Sequence, residues 1–180
     1  MLVGEIAVLR PLERRDLPLL QEWANDQSLT NLLGSWHFPV STDEHGRWFD
    51  ANVNDFLNRR FAIEVDGQLI GSANLVSINW KDRNAFHGMM IGDPTFRSRG
   101  IGPDVVNTVM QFAFLELGLH RLDSTMISSN TPSIKMYTEK CGWEIEGTKP
   151  EWFFRNGNWH DLVIVGITKR RYLEFQENKK

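Results

Sequence analysis

A single cysteine, Cys141, is all the thiol chemistry that the chain carries. One thiol cannot close an internal disulfide, so the fold must stand on its packing, and a reducing compartment is the simpler setting. Long apolar runs are missing too: nothing approaches the ~18 residues that cross a bilayer. The first nine residues include Glu5 and lack the basic start and apolar core of a signal peptide. A cytoplasmic protein without a membrane partner is expected. Positive charge is not in excess, since the formal net charge is −3 and the pI is near 6.0. That argues against a general nucleic-acid binder. The runs Arg14-Arg15, Arg59-Arg60, Lys169-Arg170-Arg171 and Lys179-Lys180 are short and read as solvated faces. His37, His45, His87, His120 and His160 show no metal-ligand spacing, so no metal is expected. No repeat, low-complexity segment or Pro/Gly/Ser linker divides the chain.

What is present fits a globular domain. Of 180 residues, 41% are hydrophobic and 24% charged, close to the soluble average and enough to bury a core without staples. One domain over residues 1–171 with a tail at 172–180 is expected. Two tyrosines stand against seven tryptophans, and these mostly serve packing, with a weak hint of aromatic pocket walls.

Residues 6–10 read as a strand ended by Pro11. Asp16 is placed to cap a helix carrying Leu17, Leu20 and Trp23 at helical spacing. Ser41-Thr42-Asp43-Glu44 reads as a capping box opening a second helix to about Leu57. Residues 61–65 and 68–75 flank Asp66-Gly67, a hairpin signal, and a third strand covers residues 85–92. Residues 103–117 form an apolar helix closed by Gly118. A strand over 122–127, a helix over 132–141 and strands over 143–147, 151–154 and 162–168 complete the order. The pattern is α/β (α+β), a mixed sheet with helices against it.

Chemistry concentrates in Arg97-Ser98-Arg99-Gly100-Ile101-Gly102, between a strand and a helix. Glycines there let the backbone turn tightly and aim its N–H groups outward, and the helix start adds its own unpaired donors. With Arg97 and Arg99 this forms a pyrophosphate cradle. It lacks the Lys-Ser/Thr of a nucleotide P-loop and the third glycine of a dinucleotide fingerprint. A second cluster follows the next strand: Asn130, Ser133, Tyr137 and Gly142-Trp143.

These two motifs together resemble the GNAT superfamily of N-acetyltransferases. Arg97, Gly100 and Gly102 match its pyrophosphate loop, and Asn130, Ser133, Tyr137 and Gly142-Trp143 match its later signature, with Trp in place of the usual Phe. Leu9-Arg10-Pro11-Leu12 with Asp16-Leu17, and Glu146-Gly147 with residues 156–161, look like the Rim type, the branch that includes ribosomal-protein and spermidine acetyltransferases. The likeness spans roughly residues 6–171.

The resemblance implies a central sheet of about seven strands with helices on both faces, and a splayed strand pair that holds acetyl-CoA. Met90 and Ile91 would pair with the pantetheine through their backbones. Arg97, Arg99, Gly100, Ile101 and Gly102 would hold the pyrophosphate. Asn130 and Ser133 would bond the cofactor arm, and Tyr137 would protonate the leaving thiolate. The N–H of Ile91 is the candidate oxyanion donor. Two departures stand out: Pro103 removes one phosphate donor, and Phe86 occupies a strand position where the branch often has Glu. The general base is therefore open among His87, Glu64, Asp123 and ordered water. Cys141 reads as a buried spacer.

For the acceptor, Trp36, Phe38, Trp80 and Trp152 are candidate walls, in the stretches 25–40 and 77–84 and beside the turn at Asn156. Little negative charge lies there, so a protein or peptide N-terminus or an amino sugar ranks above spermidine or another polyamine. A non-catalytic acyl-CoA-binding module is the other class of reading. A homodimer, or a monomer with a weak self-contact, through the aromatic-rich 143–159 stretch is also expected.

Overall fold

The structure, a computed structural model, describes residues 1–34, 38–52 and 55–178. Eight strands form one mixed sheet: β1 (Leu2–Val3), β2 (Val8–Pro11), β3 (Arg59–Val65), β4 (Gln68–Asn79), β5 (Asn84–Ile91), β6 (Arg121–Ile127), β7 (Glu144–Arg155) and β8 (Asn158–Thr168). Their spatial order is β1-β2-β3-β4-β5-β6-β8-β7. Among the described residues six α-helices accompany them: α1 (Leu17–Asn25), α2 (Gln27–Thr30), α3 (Thr42–Asn52), α4 (Ile101–Gln111), α5 (Thr131–Lys135) and α6 (Lys169–Glu177).

Two tight hairpins fix the register. Val65 pairs with Gln68 across Asp66 (φ 50°) and Gly67 (φ 76°), and Arg155 pairs with Asn158 across Asn156 (φ 50°) and Gly157 (φ 79°). Two left-handed central residues match the twist of the flanking strands, which is why Asp-Gly and Asn-Gly stand there. The strands read separately at 143–147 and 151–154 are one strand, β7. Pro150 falls in an irregular stretch between Lys149 and Phe153, at the sheet edge, where a missing N–H interrupts little.

Helices cover both faces. On one, Val105, Val106, Val109 and Met110 of α4 are fully buried against Leu9, Ile63, Leu75, Leu122 and Val165. On the other, Leu17, Leu20 and Trp23 of α1, Leu29 and Phe49 pack with Met90. Each such aliphatic side chain contributes about 1.5–3 kcal/mol when fully buried. The helix read as 103–117 begins at Ile101, widens into a π-type turn over Phe112–Glu116, and ends at Gly118 (φ 68°). Over its described residues the expected tail is the body of α6, with Tyr172 buried against Phe114.

Sequence signals at the helix starts behave differently. The capping box holds: Ser41 N–H donates to Glu44 Oε2 at 2.9 Å and Glu44 N–H to Ser41 Oγ at 3.2 Å. Asp16 does not cap α1 with its side chain. Its carboxylate instead takes two bonds from the Arg10 guanidinium, at 2.8 and 2.9 Å, and one from Glu13 N–H at 2.8 Å. Arg10 Nε donates to Glu64 at 2.7 Å. This network fastens α1 to β2 and β3 and explains the charged pair within the Leu9–Leu17 stretch. Asp104 fastens the amino-terminal segment to α4, accepting from the N–H groups of Glu5, Ile6 and Ala7 at 2.8–3.0 Å.

Candidate active site

The sheet opens between β5 and β6. These parallel neighbours pair only at Asn84–Arg121, Ala85–Leu122 and Phe86–Asp123, and beyond Phe86 they diverge. In the opening lies a cavity of about 480 Å³, lined from β4 and β5 by Ser72, Asn74, Phe86, Gly88 and Met90, and from β6 by Ser124, Thr125 and Met126. Asn130, Ser133 and Tyr137 close one end, and Leu12, Leu20, His45, Trp48 and Arg60 line the other, on the α1–α3 side.

Tyr137 sits in a π-type turn, Met136–Lys140, that continues α5; such widened turns recur where a side chain must be re-aimed. Its ring is 2% exposed and packs edge-on to Trp143, centroids 5.0 Å apart. Burial pushes the phenol well above its ordinary range, with the Cys141 thiol adding to the rise, while the Ser124 hydroxyl bonded to it pulls the other way. The group therefore stays protonated at neutral pH, as a proton donor must. Ser124 is a residue the sequence reading missed. Its signal was legible: Leu122, Ser124 and Met126 alternate inward along β6, and a hydroxyl at an inward position calls for a partner.

Asn130 caps α5 through Ser133 N–H at 3.2 Å and donates to Leu32 C=O, so it positions both α5 and the segment bordering the cavity. Gly92 N–H donates to Ile70 C=O at 2.9 Å. Antiparallel pairing alternates, which turns the backbone of Ile91 toward the opening and that of Met90 toward β4, where a Cβ on Gly71 would lie 2.1 Å from the Met90 carbonyl. Met90 therefore meets the cavity with its side chain and cannot offer the expected backbone pairing.

The loop expected to hold the pyrophosphate turns at Gly100 as the sequence implies, but its side chains are engaged elsewhere. Gly100 (φ 80°) precedes α4, and the first helical bond runs from Asp104 N–H to Gly100 C=O, leaving the N–H groups of Ile101 and Gly102 ahead of the ladder. A Cβ on Gly102 would lie 2.5 Å from Met136 Sδ, so the loop closes tightly on the element that carries Tyr137. The Ile101 side chain is core. Arg97 straps the end of β5, donating to Ile91 and Gly92 carbonyls at 3.1 and 3.0 Å. Arg99 lies over Phe96. A bare backbone cradle beside a helix start is what a pyrophosphate needs.

No candidate base reaches the cavity. His87 is 0% exposed, lies against Tyr137 and Trp143, and bonds Asn74 C=O through Nδ1 at 2.8 Å. Burial lowers its pKa to about 4, the backbone bond opposing. It is a core imidazole held neutral, not a base in contact with substrate. Glu64 is paired with Arg10, and Asp123 with Arg121 at 2.9 Å. Because the unfolded chain protonates His87 near 6.5 and the folded one near 4, stability is whole above pH ~6.5 and falls as pH drops toward 4. Between pH 7 and 5 this group should remove about 2 kcal/mol. Urea midpoints measured at both pH values should show that His87→Gln loses correspondingly less; an equal loss would exclude His87 as the source.

Of the expected aromatic walls, Trp152 alone lines the cavity among the described residues. Phe38 is 83% exposed and Trp80, in the β4–β5 turn, 49%; neither lines it. Trp36 lies outside the described residues. No group of three His, Cys, Asp or Glu among the described residues could hold a metal, and no helix there is long and apolar enough to cross a membrane.

A splayed parallel pair, a glycine cradle at a helix start and a buried tyrosine at the fork define an acyl-CoA-dependent transferase. The chain belongs to the acetyltransferase (GNAT) domain family, whose model matches residues 7–144. It is 31% identical to the spermidine N(1)-acetyltransferase of Vibrio cholerae over 94% of this chain and 96% of that one. It is 27% identical to the SPbeta prophage-derived N-acetyltransferase YokL of Bacillus subtilis, over 94% and 93%. The Vibrio cholerae spermidine N-acetyltransferase in complex with CoA and spermine superposes with a TM-score of 0.86 at 28% identity, covering 94% of this chain and 99% of that one. This is an N-acetyltransferase, and acetyl-CoA is its acyl donor.

Proposed function

We propose that the chain acetylates a small-molecule primary amine, the amine attacking the thioester directly in a ternary complex, with Tyr137 returning the proton to the departing sulfur. The observation that carries this reading is the cavity that enters from the α1–α3 face and ends at Tyr137 and Ser133 inside the β5–β6 fork. Acetyl-CoA contributes the activated acetyl group; the chain's own groups do the rest. The Ile91 N–H faces the fork as an oxyanion donor. Since none of His87, Glu64 and Asp123 lines the cavity, the proton leaving the amine passes to ordered water.

Of the relatives named above, the Vibrio cholerae one is a spermidine enzyme and neither is a ribosomal-protein enzyme. They support a polyamine acceptor better than a peptide N-terminus or an amino sugar, reversing the order read from the sequence, and they support the spermidine side of the Rim-type likeness. One observation favours a second acceptor class and is developed below: none of the described lining residues is a carboxylate. The test is free-thiol release from acetyl-CoA over a panel of amines, with thermal unfolding as the binding readout. Acetyl-CoA should raise Tm in proportion to its occupancy. Gly100→Val should abolish that rise, because a β-branched residue is strained at φ 80°. An undiminished rise in the variant would displace the loop from the cofactor site.

A further inference from the structure

The acceptor end of the cavity is apolar except at one corner. Leu12, Leu20, Leu32, Leu33, Met90 and Phe153 supply the walls, and the corner holds Arg60, Trp48 and His45. Among the described residues Arg60 is the only Asp, Glu, Lys or Arg that lines the cavity, and it is half-buried. Among the described residues it makes no ion pair. Its one side-chain hydrogen bond among the described residues is a long one to Asn58 C=O at 3.4 Å, and its guanidinium lies 5.2 Å from the Trp48 ring centroid. Asp55, the nearby negative charge that the guanidinium feels, is engaged by Leu57 N–H and Asn58 Nδ2 at 2.8 and 2.6 Å. His45 also packs on Trp48, ring centroids 5.2 Å apart, and is 6% exposed, with its Nδ1 buried and without a hydrogen-bond partner among the described residues.

A half-buried guanidinium with most donors unused among the described residues is an incomplete set of partners. A planar anion would complete it, since a guanidinium binds a carboxylate through two parallel bonds. A polycation has the opposite requirement. It is favoured by negative charge, and among the described residues the lining offers neither Asp nor Glu. Positions 35–37 and 53–54, outside the described set, are Ser, Trp, His, Val and Asn and carry no carboxylate.

Geometry links this corner to the reaction. Arg60 pairs with Asn74 across β3–β4, and Asn74 with Gly88 across β4–β5. The three form one row over the sheet, from the corner to the edge of the fork. Two strand spacings amount to about 10 Å, and the arginine side chain spans part of them. The anion therefore sits close to the reacting amine, within one compact molecule. We infer that the acceptor is a compact amine carrying a carboxylate, with an apolar side chain against the leucine wall, and that Arg60 is the residue that selects it. This deepens the reading above and rests on it, since it takes the fork as the place of acetyl transfer.

The experiment compares free apolar amino acids, their methyl esters, the corresponding decarboxylated amines and spermidine, each with acetyl-CoA and read as thiol release. The free acid should exceed its ester in kcat/KM by ~10-fold or more. Arg60→Gln should lower kcat/KM for the acid by ~10–100-fold, mainly through KM, so that the acid-over-ester ratio falls to near one. Arg60→Lys should restore part of the ratio, and acetyl-CoA affinity should hold in both variants. Spermidine or an ester turned over better than every free acid would overturn the inference and leave the transferase reading standing, as would an acid-over-ester ratio unmoved by Arg60→Gln. Thiol release with no amine at all, despite acetyl-CoA binding, would remove the transferase reading itself and this inference with it.

Discussion

Replacing Tyr137 with Phe is expected to lower kcat by ~10²-fold or more while leaving the acetyl-CoA dissociation constant almost unchanged. The variant deletes one oxygen from a ring that keeps its edge-on contact with Trp143 and its place beside His87. Its stability should drop by only about 1 kcal/mol, since the Ser124 hydroxyl loses a partner inside the cavity wall. The loss should shrink for an acyl thioester whose thiol leaves more readily, because a better leaving group needs less help from a proton donor. A Tyr137→Phe enzyme with near-normal turnover, or one equally slow with every thioester, would take the phenol out of proton transfer. Ser124→Ala provides the companion measurement. It frees the Tyr137 hydroxyl without removing it, so kcat should fall far less than in the phenylalanine variant.

The second large effect falls on stability. Asp16→Ala removes the carboxylate that receives both arms of Arg10, and Arg10 and Asp16 are only 8% and 4% exposed. Stranding one partner of a buried ion pair costs about 3–5 kcal/mol. The remaining bond from Arg10 to Glu64 places the expectation near the lower end. For a chain of this length, ~3 kcal/mol corresponds to a Tm lowered by about 6–12 °C. Removing both charges should do less harm: an Arg10→Met, Asp16→Leu double variant leaves no orphaned ion and should recover at least half of the loss. If the double variant is no more stable than Asp16→Ala, the network serves packing shape rather than charge pairing.

The legible parts of this protein were those written in local chemistry. Asp66-Gly67 and Asn156-Gly157 announce hairpins because few other residues tolerate their backbone angles, and Ser41 with Glu44 announces a helix start through two reciprocal bonds. The left-handed turn at Gly100 ahead of a helix, and the helical turn that carries Tyr137, were legible for the same reason, since both leave marks within a few residues. Roles set by distant partners were not. Asp16 read as a cap because the pull of Arg10, six residues away, leaves no mark in spacing. Arg97 read as a phosphate ligand, yet its donors go to the end of β5. His87 had the ionisation range of a base, and only the closing of Tyr137 and Trp143 over it reveals an imidazole held neutral by burial. Arg60 was hidden in a basic doublet that looked solvated. Its neighbour Arg59 pairs with Leu75 in the same strand ladder, and nothing in two adjacent arginines tells which one faces a cavity.

The short contact between β5 and β6 has a mechanical consequence. On one side, β1 to β5 form a continuous antiparallel sheet; on the other, β6, β8 and β7 form a second one, closed by long hairpin pairing. Only three residue pairs sew the two panels together, helped by the helices that lie across them. The fork thus coincides with the short junction between the two panels. A small change in the angle between panels would widen or narrow it without breaking a ladder in either, much as a book opens along its spine while its pages stay flat. Amide exchange should be slow within each panel and faster along the inner edges of β5 and β6 beyond Phe86, where the two part. Such an arrangement lets a large, many-jointed molecule be gripped and released at the cost of hinge motion alone, with the rest of the fold kept intact.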